Sequence, residues 1–138
     1  FRRGNAGMAV RASSSIPGVF QPVSINGREY VDGGLVSPVP VRVARSMGAD
    51  VVIAVDISNK PRNAKISDSL DVLLQTFAIM GQSISGYELT EAEVVIRPHT
   101  GMIGAAEFEA KHLAILEGEK AAQAALPAIR RELLKKTR

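Results

Sequence analysis

Val51-Val52-Ile53-Ala54-Val55 is the stretch that most restricts what this chain can fold into. It is short, wholly apolar and mostly β-branched, with no polar alternation. Such a run reads as a central strand covered on both faces, as strands of parallel sheets are. A second strand signal, Glu93-Val94-Val95-Ile96-Arg97, follows a long helical pattern over 68–89. In that pattern Leu70, Leu73, Leu74, Phe77, Met80 and Ile84 fall on one face, and Asp68 and Asp71 sit in the first turn, where negative charge complements the helix dipole. Strand, helix, strand in that order implies a parallel, right-handed crossover.

The flanking segments fit the same class. Residues 8–16 read as a short helix running into a serine-rich turn, and Ile16-Pro17-Gly18 breaks it. The Asn26-Gly27 pair between two extended stretches is a strong hairpin signal and places strands near 20–25 and 28–32. Pro40 suits the first turn of a helix that carries Val43, Ala44 and Met47 on one face and stops at Gly48. A polar loop is expected over 59–67. A last helical stretch is expected over about 106–135, interrupted or kinked at Gly118 and Pro127. The expected fold is α/β, three layers with a mainly parallel sheet between helices. Two parallel strands and a hairpin are few for such a sheet, so it is expected to be incomplete at its N-terminal side. Residue 1 is Phe1 and not Met, which points the same way.

Composition narrows the function classes. The chain has 138 residues and no cysteine, so it holds no disulfide, thiolate metal site or thiol nucleophile. His99 and His112 are too few for a histidine-rich metal site, and no metal or cofactor is expected. No apolar run approaches the roughly 20 residues that span a bilayer. With no signal segment either, the default location is cytoplasmic. The net charge of +3 is spread out. The basic tail Arg130, Arg131, Lys135, Lys136 and Arg138 reads as a solvated helix end, without the interleaved aromatics of a nucleic-acid site. It could bias an orientation at an anionic lipid surface without anchoring the protein.

The chemistry concentrates in residues 12–58. The blocks are Ala12-Ser13-Ser14-Ser15-Ile16-Pro17-Gly18-Val19-Phe20, then Tyr30-Val31-Asp32-Gly33-Gly34-Leu35-Val36-Ser37-Pro38-Val39-Pro40, then Gly48-Ala49-Asp50 leading into the strand that ends at Asp56. Taken together and in this order, they resemble the patatin-like phospholipase family, and most closely its bacterial branch. The resemblance continues more weakly to about residue 125. It implies that residues 1–138 are the C-terminal portion of a single such domain. It also implies a serine–aspartate dyad that cleaves acyl esters without a histidine, with Asp32 matching the base. Gly33, Gly34 and the loop serines Ser13, Ser14 and Ser15 then lie near the active site. From the residues alone, Asp32 closes a strand behind an apolar approach, and two glycines leave room for a neighbouring nucleophile. The same aspartate could equally serve only to bond turn N–H groups. The serines could orient Asp32 or simply cap their turn, and Asp56 reads as a turn cap.

No Gly-x-Ser-x-Gly occurs in the chain, and no glycine-rich loop follows an early strand. The nearest match, Gly81-Gln82-Ser83-Ile84-Ser85, lies inside the helical pattern, away from any strand-to-helix elbow. The expectation is therefore a lipid acyl hydrolase whose base is here and whose nucleophile and oxyanion loop are not, so that this chain alone is inactive. The rival reading is a non-catalytic module of the same descent that binds a lipid or a protein. A nucleotide-binding domain would need a phosphate-cradling loop that is absent. Unpaired sheet edges and exposed apolar surface would favour self-association of the chain.

Overall fold

The computed structural model describes residues 3–58, 68–101, 103 and 108–136. The polar loop expected over 59–67 falls outside them. In order, the elements are α1 (Ala6–Ser13), β1 (Val23–Ile25), β2 (Arg28–Tyr30), a 3-10 turn (Gly33–Leu35), α2 (Val41–Ser46), β3 (Ile53–Val55), α3 (Ser69–Leu89), β4 (Val94–Ile96), a second 3-10 turn (Phe108–Ala110) and α4 (Lys111–Lys136). The α/β class holds. β1 and β2 form an antiparallel hairpin, and β3 and β4 form a parallel pair. The chain divides into two compact units: Phe1–Pro38 with Asn63–Ile84, and Val39–Arg62 with Ser85–Arg138.

In the first unit, Asn5 caps α1 by accepting the Met8 N–H at 3.1 Å. The hairpin turns through Asn26 and Gly27 at φ 52° and 75°. Two successive left-handed residues make the type I′ turn whose twist matches that of the flanking strands. Val23 pairs with Tyr30 across the hairpin and is buried. Gly18, at φ +82°, lets the loop after α1 lie against α3, since a Cβ there would meet Leu73 Cδ2 at 3.1 Å.

In the second unit, Val41, Val52, Ala54 and Leu89 form a core, with Val39, Ala44, Ala49, Ala92 and Val95 packed around it. One expectation needs correcting here. Among the described residues β3 is covered on one face only: Val52 and Ala54 point inward, while Ile53 and Val55 alternate to the other side and are 40% and 52% exposed. β4 is better covered: Val94 and Ile96 are buried, and α4 packs against the strand. α4 is also uninterrupted. Pro127 lies inside it; proline removes one intrahelical donor, and the rest of the ladder carries the helix through.

The parallel pair is locked by one carboxylate. Glu93 Oε2 accepts the Val52 N–H at 2.8 Å, and both Glu93 oxygens accept from Arg45 Nη2, at 2.6 and 2.7 Å. Arg45 Nη1 donates further to the carbonyls of Ala49 and Asp50, so the guanidinium joins the end of α2 to the start of β3. The Val52 N–H, and next the Arg45 guanidinium, hold the Glu93 carboxyl below its ordinary value of 4.5. A depressed folded-state value stabilises the fold above the unfolded value, and that stabilisation is lost as pH falls through the folded one. Glu93→Gln should therefore lower stability near neutral pH by about 1 kcal/mol, the worth of a charge-assisted bond that keeps some water contact. Urea unfolding of the two proteins as a function of pH checks this, and the difference should close below the ordinary glutamate range.

Candidate functional site

Asp32 lies two residues beyond β2 and not at a strand end, because strand pairing stops at Tyr30 and the chain turns at once into the Gly33–Leu35 turn. Asp32 is the N-cap of that turn, and its Oδ1 accepts the Gly34 N–H at 2.7 Å. The main chain is fixed as well. The Asp32 N–H donates to the Ser15 carbonyl at 2.9 Å, and the Asp32 carbonyl accepts from Leu35 at 3.4 Å. The residue is half-buried. Its second oxygen, Oδ2, takes no hydrogen bond among the described residues. One carboxylate oxygen is therefore used for positioning, and the other is uncommitted among the described residues.

The two glycines do different work. A Cβ on Gly33 would meet nothing within 4 Å, so space is open on that side. A Cβ on Gly34 would sit 3.0 Å from Asp32 Oδ1. The bare backbone at Gly34 is thus what lets the carboxylate fold onto its N–H.

Of the three loop serines, the structure joins one to Asp32. Ser15 is buried. Its hydroxyl donates to the Arg11 carbonyl at 2.8 Å while its own carbonyl holds Asp32. Ser13 is exposed and bonds back to the Val10 carbonyl at 3.0 Å, and Ser14 is the exposed C-cap of α1. Their positions fit the turn-capping reading, with the Ser15 backbone as the link to the aspartate. Beside them an open groove of about 520 Å³ is lined by Arg11, Ser14, Ser15, Val19, Phe20 and Gln21.

Other sequence candidates fall elsewhere. Asp56 bonds the Ser58 N–H at 3.0 Å and Arg97 Nε at 3.2 Å, as a turn cap would. Gly81-Gln82-Ser83-Ile84-Ser85 lies within α3. His99 and His112 are exposed, and the His112 ring lies 3.2 Å from the Glu109 carbonyl. Among the described residues no cluster of acidic and histidine side chains could hold a metal ion. The Ser15–Asp32 link was not read from the sequence, because a main-chain bond between residues seventeen apart leaves no side-chain pattern.

The chain matches known proteins in the same region. Residues 2–45 match the family model described as Patatin-like phospholipase. An NTE family protein of Mycobacterium tuberculosis is 41% identical over 58 residues, covering 42% of this chain and 16% of that protein. A second one from the same organism is 29% identical over 152 aligned residues, covering 92% of this chain and 26% of its own length. Lysophospholipase NTE1 of Yarrowia lipolytica is 41% identical over 56 residues, covering 41% of this chain and 4% of that protein. The chain thus spans about a quarter or less of the length of these relatives.

The cap and the free oxygen can be separated by mutation. Asp32→Ala removes the acceptor from Gly34 and should cost about 1 kcal/mol locally. Asp32→Asn keeps an acceptor oxygen and should cost only a few tenths of that. Amide hydrogen exchange at Gly34 reads this directly: about fivefold faster in the alanine variant and near wild type in the asparagine variant.

Proposed function

We propose, from the match of residues 2–45 to the Patatin-like phospholipase model, that Asp32 is the general base of a lipid acyl hydrolase. The observation that carries the reading is the division of labour within one carboxylate. Oδ1 is held by Gly34 at 2.7 Å, which fixes the group, while Oδ2 is uncommitted among the described residues. A serine hydroxyl brought to Oδ2 would give up its proton as its oxygen bonds to the ester carbonyl. Asp32 would pass that proton to the departing alcohol, leaving an acyl-enzyme. Water would then hydrolyse the acyl-enzyme with Asp32 again as base. On this reading residues 1–138 are the C-terminal portion of one such domain, and the serine and its oxyanion donors come from outside these residues.

The substrate class is an acyl ester of a lipid, in keeping with the lysophospholipase name of the Yarrowia lipolytica relative. No helix among the described residues is long and apolar enough to cross a membrane, and contact with lipid is proposed to be peripheral. Exposed Ile53 and Val55 on β3 support self-association of the 138-residue chain. One observation favours the rival reading of a non-catalytic module: the Gly34 bond alone gives Asp32 a structural role.

Hydrolysis of p-nitrophenyl butyrate decides between them. The gene product that includes a Gly-x-Ser-x-Gly should turn the ester over, and Asp32→Asn should lower kcat by about 10²–10⁴-fold, the range of a lost general base. The 138-residue chain alone should show no turnover. Unchanged kcat in the asparagine variant would leave Asp32 with its cap role only.

A further inference from the structure

The groove beside Ser15 has the make-up of a binding site for a charged amphiphile. Its walls are Val19 and Phe20, which stay 45% and 58% exposed although the loop that carries them is seated on α3 at Gly18. At the α1 end lie Arg11, in the last turn of that helix, and Ser14, its C-cap. Arg11 holds no carboxylate among the described residues. The hydroxyls of Ser13 and Ser15 are taken by helix carbonyls, at 3.0 and 2.8 Å, whereas that of Ser14 bonds to nothing among the described residues. Arg11 and Ser14, both uncommitted among the described residues, thus line one groove together with the exposed apolar side chains of Val19 and Phe20. Its volume of about 520 Å³ falls within the range of small-molecule sites.

We propose that this groove binds a single-chain amphiphile through its anionic head group, with Arg11 and Ser14 holding the anion and Val19 and Phe20 covering the chain. A guanidinium presents a fork of donors that matches phosphate and carboxylate oxygens, so either head group satisfies the chemistry. Ser15 lines the groove and holds the Asp32 N–H at 2.9 Å, so a bound amphiphile lies one residue from the proposed base. The inference rests on the hydrolase reading only in treating the ligand as a substrate or product. Binding itself does not depend on it.

The test is calorimetric titration of the chain with dodecyl phosphate, dodecanoate and dodecyl maltoside, each below its micelle concentration. At least one anionic amphiphile should bind about tenfold more tightly than the neutral maltoside, the worth of a hydrogen bond to a charged group. Whichever anion binds tighter identifies the head group. Arg11→Gln should erase that preference and Arg11→Lys should keep part of it. Amide shifts on binding should centre on Ser14, Val19 and Phe20, which tests the site in the wild-type chain even if a variant fails to fold. Asp32→Asn removes a nearby negative charge and should bind the anionic amphiphiles at least as tightly as wild type does, so a failed hydrolase reading and a failed binding site give different results. Equal affinity for neutral and anionic amphiphiles, a preference that survives Arg11→Gln, or shifts centred elsewhere would overturn the proposal.

Discussion

The hydrogen bond from the Asp32 N–H to the Ser15 carbonyl is the contact on which the candidate site depends. It joins two segments that local forces alone would leave independent: the turn that ends α1 and the turn that follows the hairpin. Each is rigid for its own reason. Ser15 is buried and bonded back to Arg11, while Asp32 is held by its cap on Gly34. One main-chain bond at 2.9 Å between two such anchored residues therefore fixes the carboxylate relative to the serine loop and its groove. Without it, the aspartate would be placed by the hairpin that precedes it and by a three-residue 3-10 turn, which is too short to hold a geometry by itself.

The second unit solves a related problem with charge. Two three-residue parallel strands make a weak ladder. Arg45 and Glu93 reinforce it from the side, since the carboxylate accepts the Val52 N–H and the guanidinium closes the Ala49 and Asp50 carbonyls in the connection from α2 to β3. The small core of Val41, Val52, Ala54 and Leu89 then needs only to cover one face of β3.

The strands, helices and hairpin were legible because each is written in local pattern. Asn26-Gly27 dictates its turn, the β-branched runs dictate strands, and the spacing from Leu70 to Ile84 gives α3 almost to the residue. What was not legible depends on tertiary neighbours. Nothing in Val51-Val52-Ile53-Ala54-Val55 says that Ile53 and Val55 stay exposed, because a run apolar on both faces carries no sign of which face is covered. Pro127 signals a break, yet α4 passes through it. At the site, Asp32 was found by motif and its cap role by turn chemistry. The tie to Ser15 was hidden because backbone bonds are indifferent to side-chain identity.

The central claim is that Asp32 takes a proton from a serine hydroxyl, and the rate at which a fluorophosphonate labels that serine tests it most directly. The account predicts that, in the gene product that contains the nucleophile, Asp32→Asn slows labelling by about 100-fold or more while circular dichroism stays that of the folded wild type. Labelling at the wild-type rate in a folded asparagine variant would contradict it.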